Sequence, residues 1–489
     1  MATQKKNRFN NPECDNSMTF QDCELAILRH AVDENEATVG EIMANSEEVK
    51  TIIKILENFL IRKKCICYGG TAINNILPKY AQFYNRDIEI PDYDFFSNHA
   101  LDDAKELADI YFAAGYKEVE AKAGVHHGTF KVFVNFIPVA DITYLDDEIF
   151  KALQKEVIIR AGIRYAPPNY LRMSMYLELS RPQGDVSRWE KVFKRLTLLN
   201  KHYPLKPDVQ CNTIDFQREM DVKSSNNEHL YFLARDVLID QGVIFFGGYG
   251  SVLYSEYLKD KKNAKYKYIH SNPDFDVLSE DPETTALILT ERLADAGFKN
   301  IKTVHHPAIG ELIPERKEIL VGKDTISFIF KPIACHSYNT IHIGDKSINV
   351  ATIDTILSFY LAFIYTNKPY FNKERILCMA KFLFEVEEQN RLRQIGLLKR
   401  FTMKCYGKQE TLETIRALKT EMYKKLSDQR GSREYDMWFL KYSPALIKEK
   451  ESQKAEKQNK TQKKRGRKPK SKTRSNYKTS TIRFGKLFS

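Results

Sequence analysis

The chain has 489 residues, a formal net charge of +12 and an apolar fraction of 43%. This length exceeds what one hydrophobic core covers, so we expect two or three domains. No run of eighteen apolar residues occurs and the N-terminal residues 1–16 are polar, which excludes a transmembrane helix and a secretory signal from the prediction.

The eight cysteines are scattered, at positions 14, 23, 65, 67, 211, 335, 378 and 405. None shows Cys-x-x-Cys spacing, and most lie in apolar surroundings, which is typical of a reducing, cytosol-like compartment. Cys65 and Cys67 share one face of a predicted strand, and we expect no bridge between them.

The N-terminal part of the chain is predicted to be helical after a disordered start at residues 1–20. Helical spacing runs from Cys23 to Glu47, and a stronger amphipathic pattern covers Val49–Lys64. A short apolar strand, Cys65–Tyr68, follows. The sequence therefore predicts two helices that lead into a buried strand.

Two glycines, Gly69 and Gly70, end this strand, and a helix-compatible run extends from Thr71 to Leu77. Because glycine has no Cβ, backbone N–H groups at the start of a helix can approach an anion there. A Gly-Gly pair alone more often marks an ordinary turn. The order strand, Gly-Gly, helix nevertheless favours a phosphate-binding helix start.

Asp92 and Asp94 lie two residues apart in the aromatic segment Pro91–Ser97. Side chains alternate along a strand, so both carboxylates project from one face. Two carboxylates held together repel each other and favour a divalent cation. A lone Asp-x-Asp is more often a solvated strand end, but together with the Gly-Gly helix it indicates phosphoryl or nucleotidyl transfer.

Asp141 is the candidate third carboxylate. It is the only acid after a long apolar stretch in which Phe130, Val132, Val134 and Phe136 alternate as the buried face of a half-buried strand. A buried acid without a partner is costly. A metal site shared with Asp92 and Asp94 would explain it, and a hydrogen-bonded structural Asp is the alternative.

The elements around these motifs predict an α/β fold with a small mixed sheet. Ser97 or Asn98 is expected to cap a helix over Leu101–Ala114, which Gly115 ends. Two strands and two helices are then predicted at Tyr116–Ala121, Thr129–Val139, Leu171–Leu179 and Ser187–Leu199.

A basic stripe marks the last of these helices. Arg188, Lys191 and Arg195 fall on one face, with Lys194 alongside. Such a stripe could hold a triphosphate near the carboxylates, although a solvated basic face is the commoner structure for this pattern.

The second half of the chain repeats the order of the first. Gly247 and Gly248 follow an apolar strand, and Pro273–Ser279 repeats the Pro, Asp-x-Asp and Ser of the first half. Lys331–Cys335 aligns with Ile137–Asp141. So many matches in one order predict an internal duplication.

The alignment places Cys335 where the first copy has Asp141. A thiol is a poor ligand for a hard cation such as Mg²⁺. The first copy is therefore predicted to be the working site and the second a degenerate copy. A His pair recurs in both copies, so His127 is predicted to pack within the fold rather than to catalyse.

The C-terminal part is predicted to be helical and charged from Asn372 to Ser427, with Trp438, Phe439 and Leu440 docked on the body.

Residues 448–489 carry 16 Lys/Arg and 3 Glu, a net charge of +13, so the rest of the chain carries −1. A segment this charged cannot bury enough surface to fold alone. It is predicted to bind polyanions, RNA above all, although an AT-hook or a nuclear import signal would look similar. Its predicted RNA-binding residues are Lys464, Arg465, Arg467, Lys468 and Lys470.

With these residues assembled, the chain resembles the poly(A) polymerase catalytic subunits of large nucleocytoplasmic DNA viruses. The resemblance is greater to mimivirus-like enzymes than to those of African swine fever virus and poxviruses. It rests on Tyr68–Ile73, Pro91–Ser97, Val139–Asp141 and the degenerate second unit. It covers roughly residues 50–400, and the arm and tail lie outside it.

The resemblance implies a duplicated polymerase-β-like nucleotidyltransferase that adds AMP from ATP to the 3′ end of a single-stranded RNA. It implies two Mg²⁺ or Mn²⁺ ions at Asp92, Asp94 and Asp141. Nucleotide contacts are implied at Gly69, Gly70, Thr71, Arg188, Lys191 and Lys194. It also implies a homodimer that acts in the host cytoplasm and can be packaged in the virion.

The predicted division of the chain follows from these motifs. The segments are a partly helical arm (1–48), a catalytic domain (49–205), a linker (206–227), a degenerate second domain (228–371), a helical region (372–447) and a basic tail (448–489). Two alternatives remain for the function. One is another template-independent transferase of the terminal uridylyl, CCA-adding or oligoadenylate type, and the other is a non-catalytic RNA-binding scaffold.

Overall fold

The structure is a computed structural model that describes residues 9, 11–85, 90–211, 213, 214, 216, 218, 227–258, 267, 268, 273–449, 452 and 453. The fold is mixed α/β. Its helices are α1 (Phe20–Asn45), α2 (Glu47–Lys63), α3 (Gly69–Ile76), α4 (Ala100–Ala113), α5 (Asp147–Gln154), α6 (Pro168–Leu179), α7 (Trp189–His202), α8 (Asn227–Asp240), α9 (Gly247–Leu253), α10 (Pro282–Asp295), α11 (Ile353–Phe363), α12 (Lys373–Gln389), α13 (Leu412–Leu426) and α14 (Arg433–Phe439).

The strands form two eight-stranded sheets and one two-stranded ribbon within the described residues. They are β1 (Ile66–Cys67), β2 (Tyr93–Ser97), β3 (Val119–Ala123), β4 (Thr129–Val134), β5 (Ile137–Tyr144), β6 (Ile158–Arg160), β7 (Ile163–Tyr165), β8 (Thr213–Ile214), β9 (Ile244–Phe246), β10 (Lys267–Tyr268), β11 (Phe275–Leu278), β12 (Ile301–His306), β13 (Arg316–Val321), β14 (Asp324–Phe330), β15 (His336–Ile343), β16 (Lys346–Ala351), β17 (Cys405–Tyr406) and β18 (Lys441–Tyr442).

The first sheet has the strand order β18-β3-β4-β5-β2-β1-β7-β6. Strand β2 runs antiparallel to β1 and parallel to β5, and β3, β4 and β5 form an antiparallel meander. The C-terminal strand β18 pairs with the outer edge of β3. Leu440, just before it, is buried, so the predicted docking of this segment on the body is confirmed.

One predicted strand, Thr129–Val139, is wrong because it spans a hairpin. The chain turns between β4 and β5 at Asn135 and Phe136, which have φ angles of 49° and 67°. Phe136 is 83% exposed at the turn instead of buried. The apolar alternation continues through this turn and masks it, although Asn135 is a residue type that favours turns and tolerates a positive φ.

The predicted helices around the first sheet are confirmed within about two residues at most ends. Gly115 follows α4 with a φ of +102°, which suits the end of a helix. The predicted cap is wrong, because His99 is the residue at the N-terminus of α4 and makes no side-chain cap. The Ser97 hydroxyl instead accepts the His99 N–H and donates to the buried Asp103 carboxylate.

The second sheet has the order β12-β13-β14-β11-β9-β16-β15-β17. Strand β11 runs antiparallel to β9 and parallel to β14, and β12, β13 and β14 form an antiparallel meander. The first sheet shows the same arrangement. There β2 runs antiparallel to β1 and parallel to β5, and β3, β4 and β5 form the meander. Helix α11 is buried along its whole length against α6 and α12. It was not predicted from the sequence, because a helix buried on every side has no polar stripe.

Three disulfides join Cys14 to Cys23, Cys211 to Cys378 and Cys335 to Cys405. Cys65 and Cys67 are free and buried, as predicted. The expectation of unpaired cysteines is therefore wrong at six positions. Two of the bridges span 70 and 167 residues, a separation at which sequence spacing carries no information about pairing.

Residues 1–442 form one compact unit, and a second unit begins at Ser443. Within the described residues no helix is both long enough and apolar enough to cross a membrane. Residues 1–8 and 10 of the predicted disordered start, 1–20, lie outside the described residues. So do the tail residues Lys464, Arg465, Arg467, Lys468 and Lys470.

Candidate active site

A cavity of about 640 Å³ opens where α3 begins beside strands β2 and β5. It collects residues that are far apart in sequence, from the Gly-Gly segment, both strands, and helices α6 and α7. Its polar lining residues are Tyr68, Gly69, Gly70, Thr71, Tyr84, Asp92, Asp94, His126, Thr129, Lys131, Asp141, Thr143, Ser174, Glu178, Arg188, Lys191 and Arg195.

The three predicted carboxylates lie together on the wall of this cavity. Strands β2 and β5 are parallel neighbours, and their register places Asp94 directly opposite Asp141. Asp92 lies two residues before Asp94, and all three residues line the cavity. Asp92 and Asp94 thus share one strand face, as their spacing predicts, and Asp141 joins them on the wall of the same cavity.

Burial, together with the neighbouring negative charges, raises the pKa values of Asp92 and Asp94. Burial raises the pKa of Asp94 to about 7, and the neighbouring Asp92 and Asp141 carboxylates add to the effect. Enclosure in the cavity and Asp141 also raise the pKa of Asp92, against the opposing charges of Lys131 and Lys191. Like charges held this closely are what a bound cation would neutralise.

Lys131 is a cavity residue that was not predicted from the sequence. It lies on β4 directly opposite Asp141, and its ammonium forms an ion pair with the Asp141 carboxylate. The available signal was its place at a polar position of the alternating strand, between Phe130 and Val132. Lys131 partly offsets the negative charge of the three acids.

The acids fit a hard divalent cation in donor type and charge, because they offer carboxylate oxygens and repel one another. Their side chains do not converge on a ready-made site. No group of three His, Cys, Asp or Glu residues poised to hold a metal is present in the described part of the chain. The Asp141 carboxylate faces Lys131 instead, so binding would require this ion pair to rearrange.

Neighbouring side chains approach the backbone at the start of α3 so closely that neither glycine has room for a Cβ atom. Gly69 has a φ of +71°, and a Cβ there would lie 2.7 Å from the Asp94 Oδ2 atom. A Cβ at Gly70 would lie 2.6 Å from the Tyr84 hydroxyl. The Tyr68 N–H donates to the Asp94 carbonyl at 2.9 Å, and the Thr71 hydroxyl donates to the Asp92 carbonyl at 2.5 Å. The start of α3 is thus fixed against the strand that carries the acids.

The predicted basic stripe reaches the cavity through Arg188, which directly precedes α7, and through Lys191 and Arg195 on α7. Arg195 donates to the Tyr84 hydroxyl at 2.6 Å, and its guanidinium lies near the start of α3, 2.9 Å from where a Gly70 Cβ would be. Lys194 does not line the cavity. Its ammonium is exposed and pairs with Glu190 at 2.6 Å.

The second sheet holds a corresponding carboxylate pair with a different charge balance. Asp274 and Asp276 are buried, and the Arg218 guanidinium contacts both carboxylates. Arg375 adds a second ion pair to Asp274 at 3.0 Å, and the Gly248 N–H donates to Asp274 at 3.1 Å. Protein cations therefore neutralise this pair.

The structure corrects the predicted counterpart of Asp141 in the second half. Strand β14 is parallel to β11, and its Phe328 lies opposite Asp276. The Arg218 guanidinium stacks 4.6 Å from the centre of the Phe328 ring. Cys335 lies after β14 and is bridged to Cys405, so it is neither the counterpart of Asp141 nor a thiol. The Pro-x-Ala segments that precede Asp141 and Cys335 are similar in sequence but do not lie at equivalent positions in their sheets.

His127 does not line the cavity and packs on one aromatic ring, which agrees with the predicted packing role, but its side chain stays exposed. Its ring lies 4.3 Å from that of Trp438, and partial desolvation, aided by Lys419, lowers its pKa. His126 lines the cavity instead.

Comparisons with known proteins agree with this geometry. Residues 54–185, which include the three acids and the Gly-Gly segment, match the family model described as poly(A) polymerase catalytic subunit. A protein of African swine fever virus, provisionally named a poly(A) polymerase catalytic subunit, is 33% identical over 177 residues, which cover 35% of this chain and 37% of the relative. A protein of Acanthamoeba polyphaga mimivirus with the same provisional name is 30% identical over 193 residues, or 38% of this chain and 31% of the relative.

The matched segment thus spans about a third of each curated relative's length. The fold as a whole is similar to the crystal structure of the Megavirus polyadenylate synthase, with a TM-score of 0.72 and 18% identity. That similarity covers 95% of this chain and 93% of the solved chain.

Proposed function

We propose that this chain is a template-independent poly(A) polymerase that transfers AMP from ATP to the 3′ end of single-stranded RNA and releases pyrophosphate. The observation that carries the proposal is the single cavity that unites Asp92, Asp94 and Asp141 with a glycine helix start and a basic helix face. These acids and glycines lie in the segment that matches the poly(A) polymerase family.

Asp92, Asp94 and Asp141 would hold Mg²⁺ or Mn²⁺. Such ions, when bound, activate a hydroxyl nucleophile and neutralise the charge of a triphosphate. The acids supply the negative charge that retains the ions beside the reacting groups. Lys131 keeps part of that charge balanced while Asp141 has no other partner.

The remaining cavity residues bind and orient the nucleotide. Backbone N–H groups at the start of α3 can approach phosphate oxygens because Gly69 and Gly70 leave no Cβ in the way. Arg188, Lys191 and Arg195 place positive charge on the facing helix. Positioning and charge neutralisation carry this type of transfer, and no covalent enzyme intermediate is required.

Primer extension with each nucleoside triphosphate separately tests the proposal. A short single-stranded RNA, Mg²⁺ or Mn²⁺, and the full chain should give long products with ATP only. Products with UTP or CTP would support nucleotidyl transfer but contradict the proposed specificity for ATP. Bound RNA without extension under any condition would favour the scaffold alternative.

Arg195→Ala is expected to raise the KM for ATP by roughly tenfold or more, because a charge-assisted contact to phosphate contributes about 1.5–3 kcal/mol. Lys194→Ala is the matched control, since this neighbouring side chain pairs with Glu190 away from the cavity. Initial rates of AMP incorporation at varied ATP concentrations measure both. Equal effects of the two changes would remove Arg195 from the nucleotide site.

We infer that the second sheet is a degenerate copy of the first. The parallel β11–β14 pair and the Gly-Gly start of α9 support a common origin with the first unit. Phe328 opposite Asp276 supports loss of function, because it offers no oxygen to a cation. Arg218 and Arg375 neutralise Asp276 and Asp274, as a bound cation would neutralise the acids of the first unit. We also propose that the first unit is the catalytic domain, 49–205, and that the second is the degenerate domain, 228–371.

The basic tail would retain RNA through its phosphates. Deleting residues 448–489 is expected to weaken RNA affinity and to flatten its salt dependence, by about 0.7 in log–log slope for each phosphate that the tail no longer neutralises. Binding isotherms of a labelled single-stranded RNA at several salt concentrations measure this. An unchanged slope would assign the tail to localisation or docking.

A homodimer would use the exposed face of α1. Its apolar side chains Leu25, Leu28, Val32, Val39 and Ile42 are exposed and recur at heptad spacing, which is typical of a helix that pairs with an identical helix. Val32→Asp is expected to shift a dimer to monomers in light scattering. Ile27→Asp, on the same helix outside the heptad positions, should leave the mass unchanged. A mass that neither change alters would exclude this face as the interface.

A further inference from the structure

Three aromatic rings lie together at the surface where α7 meets the loop after α12. The Phe401 ring centre is 5.9 Å from that of Trp189 and 6.3 Å from that of Phe193. Phe401 and Phe193 are 43% and 36% exposed. These three rings, called here the aromatic platform, are apolar surface that the core leaves open.

The platform is held in place from beneath. The Arg400 guanidinium lies 5.3 Å from the centres of both the Phe193 and Phe401 rings. It is largely buried and forms ion pairs with the Asp354 and Glu387 carboxylates. The Trp189 indole N–H donates to the Glu178 carbonyl at 3.1 Å. Because the rings are fixed, a ligand that stacks on them loses little entropy through ordering of the protein.

The loop that carries Phe401 is rich in exposed basic residues. The loop supplies the exposed residues Arg391, Arg393, Lys399 and Lys404. Among them Arg391 pairs with Glu388. Aromatic rings flanked by basic side chains favour a polyanion that carries planar groups, which describes a single-stranded nucleic acid.

The platform also adjoins the candidate active site. Helix α7 carries the cavity residues Lys191, Val192 and Arg195. Trp189 and Phe193 lie on the same two turns, on the face of α7 opposite Lys191 and Arg195. A strand with its 3′ end in the cavity would reach the platform by passing around this one helix, whose diameter with side chains is about 10–12 Å.

We propose that the aromatic platform binds bases of the single-stranded RNA substrate by stacking, upstream of the 3′ end that is extended. This assignment rests on the proposed function for the identity of the substrate. Stacking accepts any base, so the platform would retain the primer and the growing tail alike.

The test is the double change Phe193→Leu/Phe401→Leu in the full chain, which keeps apolar packing on Arg400 but removes the π-faces. Binding of a fluorescent single-stranded oligoadenylate, measured in EDTA without ATP, is expected to weaken about tenfold or more. An abasic oligomer of equal length should bind the wild type and the variant equally. Phe136→Leu, a matched change at an exposed ring in the β4–β5 turn, should not affect either ligand.

A second measurement does not depend on those variants. The chain has two tryptophans, so Trp438→Phe leaves Trp189 as the sole indole reporter. Oligoadenylate should quench its fluorescence, and the abasic oligomer should not. Equal quenching by both oligomers, or none by either, would overturn the assignment.

The outcomes separate this inference from the proposed function. Base-dependent binding without any extension would keep the platform and reject the polymerase. Extension together with unchanged oligoadenylate affinity in the Leu variant would reject the platform and keep the polymerase. A change of oligomeric state in that variant, with RNA affinity intact, would show a protein interface instead.

Discussion

Asp94→Asn is expected to abolish AMP transfer and, at the same time, to stabilise the metal-free protein. Transfer should fall by about 10³-fold or more, because charge stabilisation by bound cations contributes several kcal/mol and Asp94 would help to hold them. Primer extension with ATP measures this loss. Asp345→Asn, a matched change in the exposed β15–β16 turn, should extend the primer normally.

The gain in stability follows from the raised pKa of Asp94. The folded state holds its proton up to about pH 7, whereas an unfolded Asp releases it near its ordinary pKa of 3.8. Between these values the folded state binds more protons, so this group's contribution to the unfolding free energy falls as pH rises. The cost is complete above pH 7 and absent below the unfolded pKa.

Asparagine removes that cost. The variant should therefore exceed the wild type by roughly 2–4 kcal/mol in unfolding free energy at pH 8 in EDTA, with no difference near pH 3.5. Denaturant titrations at the two pH values check this. A variant that is destabilised at pH 8 would show that the ionised Asp94 carboxylate does not destabilise the folded state, and unchanged transfer would remove Asp94 from the mechanism.

Arg218→Ala is expected to lower the unfolding free energy by about 3–5 kcal/mol, because it leaves two buried carboxylates with one fewer partner. Arg218 is itself buried. Burial works against its charge, but Asp274 and Asp276 outweigh this and raise its pKa. Arg235→Ala is the matched control, since that arginine is more exposed and pairs with the adjacent Asp236. It should cost less than about 1 kcal/mol.

A compensating change identifies the cause. Asp274→Asn/Asp276→Asn in the Arg218→Ala background should recover most of the lost stability, because no uncompensated charge remains. Denaturant unfolding at constant pH measures all three proteins. If the compensated protein were no more stable than Arg218→Ala, lost packing on Phe328 would explain the effect instead. Primer extension below the unfolding transition should continue in every case.

The sequence predicts the candidate site better than it predicts the chain's connections. Strand periodicity places Asp92 and Asp94 on one face, and the Gly-Gly segment predicts the start of α3, because both are local rules. Asp141 stands out as an isolated acid in apolar sequence. Its pairing opposite Asp94 depends on β5, whose start the sequence pattern does not reveal, because the apolar alternation runs across the turn and outweighs its one turn-favouring residue, Asn135.

Long-range partners were beyond the reach of local patterns. The sequence places Arg218 in a predicted linker, and nothing near it in sequence indicates that it contacts Asp276. Lys194 and Arg195 are neighbours on one helix, and only packing decides that Arg195 faces the cavity. Residue similarity aligns Cys335 with Asp141, whereas strand register places Phe328 opposite Asp276, as Asp141 lies opposite Asp94.

The position of β18 has a consequence for how the protein is made. This strand pairs with the edge of the sheet that carries the three acids, so Ile66 and Tyr442 belong to one sheet. A ribosome that adds about 5–20 residues per second needs roughly tens of seconds to travel from β3 to β18. Throughout that time the nascent sheet exposes an unpaired edge, where other chains can attach. We therefore expect ribosome-bound chains to need chaperone protection until synthesis passes residue 442, and products truncated earlier to aggregate.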